Sequence, residues 1–142
     1  MPAPREEPIG LMVTRVSRVL ARAFDRALAA DGGSTSTWLV LLAAKQGTHR
    51  TQAELAEAVG VRGPTLTHHL DGLERAGLVT RERTPDDRRG QRVTLTPAGE
   101  ELFVRLRETA VAFDRRLRRG LGDDGVAALR GVLSTLEDNA AG

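Results

Sequence analysis

The chain has 142 residues, of which 40% are hydrophobic and 28% are charged. This length suits one domain with a sizeable core, and the composition excludes wholesale disorder and collagen-like repeats. The absence of cysteine excludes disulfides, thiolate metal sites and cysteine nucleophiles. No apolar run approaches the roughly 20 residues of a membrane span, and residues 1–8 lack a secretion signal. We therefore expect a cytoplasmic protein with no membrane partner.

The basic residues are unusual in kind. The formal net charge is only +2, but Lys45 is the sole lysine, so 20 of the 21 basic residues are arginine. The planar fork of arginine suits phosphates and base edges. A biased genomic composition that replaces lysine by arginine throughout is, however, sufficient to explain this excess. Only the placement of particular arginines therefore bears on function.

The first predicted element is an amphipathic helix from about Ile9 to Ala29, ended by the glycines at 32 and 33. A short apolar helix follows from about Ser36 to Lys45. The first helix has apolar residues spaced by three and four positions, typical of a coiled-coil seam; they are Ile9, Met12, Val16, Val19 and Ala23.

Two short helices are predicted next. Thr51 and Glu54 form a capping box at the start of the third helix, which ends near Gly60. The fourth helix has Pro64 in its first turn, where proline is tolerated. Its leucines, Leu66, Leu70 and Leu73, lie on one side, opposite Thr65 and His68.

The hydrophobic period then changes to that of strands. Residues 78–83 and 91–96 predict a hairpin around the charged loop 84–90. Thr96 and Pro97 begin a fifth helix that extends to about Arg119. A last helix carries a further seam at Val126, Leu129, Leu133 and Leu136. The predicted fold class is mainly α with a small β-hairpin wing (α+β).

These elements predict three parts and a dimer. Residues 1–34 form an N-terminal dimerisation helix, residues 35–96 a winged helix-turn-helix domain, and residues 97–142 the C-terminal dimerisation helices. Long seamed helices bury their apolar faces more completely against a second copy than within one chain. We therefore expect a twofold homodimer.

The third and fourth helices have the order of a helix-turn-helix, which alone is a weak signal because helix pairs are common. The hairpin that follows directly adds a wing with arginines at its tip. A recognition helix fits the major groove, and a wing can reach phosphates or the minor groove. The order of these elements predicts binding to double-stranded DNA.

Four segments resemble the MarR (multiple antibiotic resistance regulator) family. They are LAEAVGV at 55–61, TLTHHLDGLE at 65–74, AGLV at 76–79 and the wing DDRRGQRVTLTPAG at 86–99. The resemblance implies a homodimeric winged-helix regulator, usually a repressor on a pseudo-palindromic operator. It also implies release by a small phenolic or other aromatic effector. On a dimer, half-sites should repeat at about 10 base pairs.

The resemblance places seven residues at or near the major groove: Arg62, Gly63, Pro64, Thr65, Thr67, His68 and His69. Many family members have a serine at the helix entry and an arginine where this chain has His68, so base preference does not transfer. His68 lies opposite the leucines and faces either DNA or solvent alone. His69 lies beside Leu66 and Leu73, where packing at the domain edge explains it as well as DNA contact does.

The wing candidates for phosphate or minor-groove contact are Arg88, Arg89 and Arg92. The resemblance suggests that Asp71 pairs with Arg89 and ties the wing to the recognition helix. The alternative is a solvated charge run, since residues 86 and 87 are acidic and surface ion pairs contribute little. Thr51 and Gln52 can add neutral phosphate contacts, although capping alone explains Thr51.

The resemblance also places an effector pocket near Trp38. This side chain either stacks on an aromatic effector or belongs to the core. Arg15 or Arg22 can neutralise an acidic effector, but ion pairs between subunits explain them equally well. The peroxide-sensing branch of the family needs a cysteine, which this chain lacks.

No motif predicts catalysis. The three histidines lack metal-ligand spacing, and no P-loop, serine-hydrolase or paired-carboxylate pattern is present. We therefore expect a DNA-binding regulator with no metal and no cofactor. The alternative is a winged helix that serves as a protein-interaction module, with its basic wing bound to an acidic partner.

Overall fold

The computed structural model describes residues 6–47, 50–83 and 90–142. These residues confirm the predicted fold class, a mainly helical chain with a β-hairpin. In chain order the elements are α1 (Ile9–Ala29), α2 (Thr35–Gln46), β1 (Arg50–Thr51), α3 (Gln52–Val59), α4 (Gly63–Arg75), β2 (Val79–Arg83), β3 (Gly90–Leu95), α5 (Pro97–Arg118) and α6 (Gly122–Ala141).

Local caps set the helix boundaries. α1 has the predicted bounds, and Gly32 beyond it has a φ of +84°. α2 begins slightly earlier than predicted, because the Ser34 side chain accepts a hydrogen bond from the Thr37 amide at 3.1 Å. Thr51 caps α3 as predicted, since its hydroxyl accepts from the Glu54 amide at 3.1 Å.

The sheet has three strands, and the sequence predicted only the two of the hairpin. The strand order is β1-β3-β2, and β3 is antiparallel to both neighbours. β1 pairs Arg50 with Gln91 and Thr51 with Gly90. A strand of two residues is too short to show a period, so its partner defines it. This pairing places the start of α3 beside the first two residues of β3.

The hydrophobic core lies in the first of two compact units, residues 1–110. Within it Trp38 stacks on Phe103, with ring centroids 5.4 Å apart. Burial of one leucine side chain contributes about 1.5–3 kcal/mol, so the core holds α4 firmly against its neighbours. The fully buried leucines come from all five helices of the unit: Leu28, Leu41, Leu55, Leu66, Leu70 and Leu106.

The backbone requires glycine at two positions, one in the turn before α4 and one just after the hairpin. Gly60 has a φ of +82° between α3 and α4, a conformation that a side chain would strain. Gly99 packs so closely that an added Cβ would collide with the carbonyl oxygen of Leu78. Beside it, the Thr96 hydroxyl donates to the Gly77 carbonyl at 2.6 Å and accepts from the Gly99 amide at 3.1 Å. The chain before and after the hairpin is thus held together.

The second unit, residues 111–142, contains the end of α5 and all of α6. No residue of α6 is buried, and its seam residues Leu129 and Leu133 are 48% and 42% exposed. The three-part division at residues 34 and 96 concerns function and stays a prediction. None of the helices described here is long and apolar enough to cross a membrane.

Candidate nucleic-acid interface

The leucines of α4 orient this helix. Leu66 and Leu70 are fully buried, and Leu73 is nearly so, which confirms the predicted apolar face. Because an α-helix repeats every 3.6 residues, burial of this face directs the opposite face outward. Together with α3 and the turn at Gly60, α4 forms a helix-turn-helix whose second helix has one free side.

The free side carries most of the residues predicted to contact DNA. His69 is half-buried at the edge of the apolar face, and its ring centroid lies 6.2 Å from that of His68. The first turn of α4 also offers backbone amides, to which phosphate oxygens bind favourably. The exposed residues are Arg62, Pro64, Thr65, Thr67 and His68, whereas Gly63 is half-buried.

Strands β2 and β3 form the base of the wing. Their register places Arg92 opposite Glu82. Arg92 is exposed, whereas the next residue, Val93, is buried. Since side chains alternate along a strand, Arg92 lies on the outer face of the sheet, where a phosphate can reach it.

Asp71 of α4 is paired, and its partner is Arg81 of β2. Arg81 Nη2 lies 2.5 Å from Asp71 Oδ1, and Arg81 Nε lies 3.3 Å from Glu74 Oε2. Hydrogen bonds to Glu74 and to Asp71 raise the pKa of Arg81 above its ordinary value. Arg88 and Arg89, and with them the predicted pair of Asp71 with Arg89, lie outside the described residues.

The sequence motifs did not single out Arg81 as the partner of Asp71, although its position in the strand pointed to such a role. Arg81 is two residues after the buried Val79, so both face the same side of the sheet. An arginine on that inward side requires a carboxylate partner. The carboxylates come from α4, so Arg81 ties the wing to the recognition helix.

The start of α3 is engaged within the protein. Thr51 serves as the N-cap. Gln52 donates through Nε2 to the Thr67 hydroxyl at 2.9 Å and accepts a hydrogen bond from Gln91 Nε2. A side-chain phosphate contact by Gln52, as predicted, would compete with these bonds, whereas the backbone amides of the first turn do not.

Of the residues predicted to bind an effector, Arg15 and Arg22 line one groove along α1, whereas Trp38 does not line it. Trp38 lies in the core against Phe103. Arg15 binds both carboxylate oxygens of Glu7, at 3.0 and 2.8 Å, and this pairing lowers the pKa of that carboxyl. Arg22 forms no ion pair within residues 6–47, 50–83 and 90–142. A shallow groove of about 310 Å³ along α1 is lined by Leu11, Thr14, Arg15, Arg18, Val19 and Arg22.

Comparisons with known proteins agree with this geometry. A sequence model of the MarR family matches residues 32–90. The crystal structure of the transcriptional regulator PA3341 is 35% identical, with a TM-score of 0.80 over 94% of this chain and 98% of the other. A transcriptional repressor, CouR, bound to a 23-mer DNA duplex is 28% identical, with a TM-score of 0.82 over 96% and 99%. The M. tuberculosis transcriptional regulator MOSR in complex with DNA is 27% identical, with a TM-score of 0.74 over 95% and 97%.

Replacing Arg81 with methionine should lower the free energy of unfolding by about 1 kcal/mol, because two partly exposed carboxylates lose their partner. Asp71→Asn should have a smaller effect, since Glu74 still binds the guanidinium. Urea denaturation at one protein concentration measures both changes. Arg92→Met, an exposed arginine of the same sheet, is the control, and an equal loss in that variant would contradict the tie between wing and helix.

Proposed function

The chain belongs to the MarR family of transcriptional regulators, and from this premise we propose that it is a DNA-binding repressor that acts as a homodimer and is released by a small ligand. Its operator is pseudo-palindromic double-stranded DNA. The proteins that it resembles are regulators, and we assign the chain no catalytic step. We also propose that the protein acts in the cytoplasm, since the family is one of transcriptional regulators.

The observation that carries this proposal is the exposed side of α4. Thr65, Thr67 and His68 project from it and supply the hydroxyl and imidazole groups that hydrogen-bond base edges in the major groove. Arg62 at the helix entry suits a phosphate or a guanine. Arg92 on the outer face of β3, with the two arginines at 88 and 89 before it in the sequence, supplies the backbone contacts that position the protein.

A second copy of the chain covers the apolar seams. The α1 residues Val16 and Val19 are exposed, as are Leu129 and Leu133 of α6. Such exposed apolar surface marks an interface, and a twofold dimer covers the same patch on both copies. The dyad then repeats the recognition helix about 34 Å away, one turn along the DNA.

The groove along α1 is the proposed effector site. Leu11 and Val19 suit an aromatic ring, while Arg18 and Arg22 suit a carboxylate. An effector releases DNA only if it binds the DNA-free conformation more tightly than the DNA-competent one. An aromatic carboxylate is therefore the ligand class that this site favours.

Changing both Arg88 and Arg89 to alanine should weaken binding to every duplex and flatten the dependence of affinity on salt. The slope of log K against log salt should fall by about 0.9 for each phosphate that the variant no longer neutralises. Fluorescence anisotropy over a salt series, with the upstream region of the gene and a scrambled duplex, measures this slope.

The control for the wing removes the same charge elsewhere, by Arg115→Ala with Arg119→Ala in the second unit. These changes should leave the slope nearly unchanged. An unchanged slope in the wing variant would exclude its arginines from phosphate contact. Equal affinity of the wild type for the upstream and scrambled duplexes would contradict sequence-specific DNA binding. It would favour the alternative function as a protein-interaction module.

Leu133→Arg should convert the dimer to a monomer, because a charge in the centre of an apolar seam is costly to bury without a partner. Thr135→Arg is the matched control, since this position is exposed and lies about 200° around α6 from Leu133. Light scattering at micromolar concentration gives the mass. A wild-type mass equal to one chain would refute the dimer.

The proposed effector site is tested with 4-hydroxybenzoate and its uncharged analogue 4-hydroxybenzamide. The carboxylate should release operator DNA and the amide should not. Arg22→Gln should raise the concentration needed for half-release roughly tenfold, the loss expected for one charge-assisted hydrogen bond. Arg26→Gln, on α1 but outside the groove, should respond like the wild type. Equal release by both compounds would rule out the arginine contact.

A further inference from the structure

We propose that Gln52 is a positioning residue that, together with the Gly63 carbonyl, keeps Thr67 an acceptor-only reader of the base edge, so that Thr67 selects an amino donor, adenine N6 or cytosine N4. This inference rests on the proposed function, because it requires α4 to lie in the major groove. It gives Gln52 a role in specificity in place of the phosphate contact that the sequence predicted for its side chain.

Gln52 bridges three elements. It is the first residue of α3 and is half-buried. Its Nε2 donates to Thr67 Oγ1 at 2.9 Å and, over a longer distance of 3.5 Å, to the Gly63 carbonyl. Its Oε1 accepts from Gln91 Nε2 of β3. A single side-chain amide therefore links α3, the recognition helix and the wing.

The direction of these bonds follows from the chemistry of the partners. The Gly63 carbonyl can only accept a hydrogen bond, so the amide nitrogen of Gln52, and not its oxygen, faces α4. The oxygen is then left for Gln91, which donates to it. The Gly63 carbonyl thus sets the orientation of the Gln52 amide, and Gln91 pairs with the oxygen that remains.

The hydroxyl of Thr67 has little capacity left. A threonine hydroxyl has one hydrogen and two lone pairs. Thr67 donates its hydrogen to the Gly63 carbonyl at 3.1 Å, and one lone pair accepts from Gln52. Thr67 is exposed, so the remaining lone pair is what its hydroxyl offers to a bound duplex.

This remaining lone pair distinguishes bases. In the major groove, adenine and cytosine present amino donors, whereas guanine presents only acceptors and thymine presents an acceptor and a methyl group. A threonine hydroxyl that rotates freely can serve as donor or acceptor and so discriminates poorly. With its hydrogen committed, Thr67 binds an amino group and rejects an acceptor atom. Gln52 favours this state, because a hydroxyl that accepts a hydrogen bond donates its own hydrogen more strongly. It thus acts on specificity through Thr67 without touching DNA.

The test begins with selection of wild-type sites from a randomised duplex library, followed by dissociation constants for the selected duplex and all its single-base variants. Thr67→Val keeps the shape of the side chain and removes the hydroxyl. It should reduce discrimination at one base pair of each half-site from roughly tenfold or more to near unity. Gln52→Ala should relax the same base pair, and the double variant should relax it no further, because the two residues act as one unit.

Thr65→Val is the matched control, since Thr65 is an exposed threonine of α4 with no bond to Gln52. The base pair that this control affects should keep its wild-type discrimination in Gln52→Ala. A purely structural role of Gln52 would weaken binding to all duplexes by one factor and leave the base profile unchanged, which would overturn the inference. Relaxation by Gln52→Ala at a base pair other than that of Thr67→Val would overturn it too. Failure of the wild type to enrich any sequence would instead refute the proposed function.

Discussion

Burial of Leu66, Leu70 and Leu73 fixes the rotation of α4 about its own axis. Turning the helix by one residue, about 100°, would bring polar groups into the core and leucines into water. The core that prevents this comes from all the helices of residues 1–110, so the face proposed to read DNA is set by the packing of the core. The exposed position of Thr67 and His68 is a consequence of this apolar contact.

The wing is held to the same helix at both of its strands. On β2, Arg81 binds Asp71 and Glu74 of α4. On β3, Gln91 binds Gln52, which in turn binds Thr67. One tie is ionic and the other neutral, so salt screens only the first. Both strands of the hairpin are therefore linked to α4.

Much of this architecture is encoded in local patterns. The seam of α1, the cap at Thr51 and the leucines of α4 depend on residues within a few positions of one another, and the sequence predicted all three. Of the features that join distant segments, the sequence predicted the hairpin and a tie between Asp71 and the wing, but not the others. β1 exists only because Arg50 and Thr51 meet β3, and the partner of Asp71 depends on the register of β2. In the same way, no spacing reveals that Gln52 and Thr67 bond, or that Trp38 meets Phe103 across 65 positions.

The helix-turn-helix and the wing are tied together at both strands of the hairpin. In the proposed dimer, a ligand can then change the distance between the α4 helices of the two copies. Val19 is central to such a coupling, because it lines the groove along α1 and also belongs to the exposed seam of that helix. In the proposed effector site, a ligand that packs against Val19 would compete with, or add to, the packing of the second copy on the same side chain. The differential affinity that release requires would then arise at the proposed dimer contact, and the reading surface of each copy need not change shape.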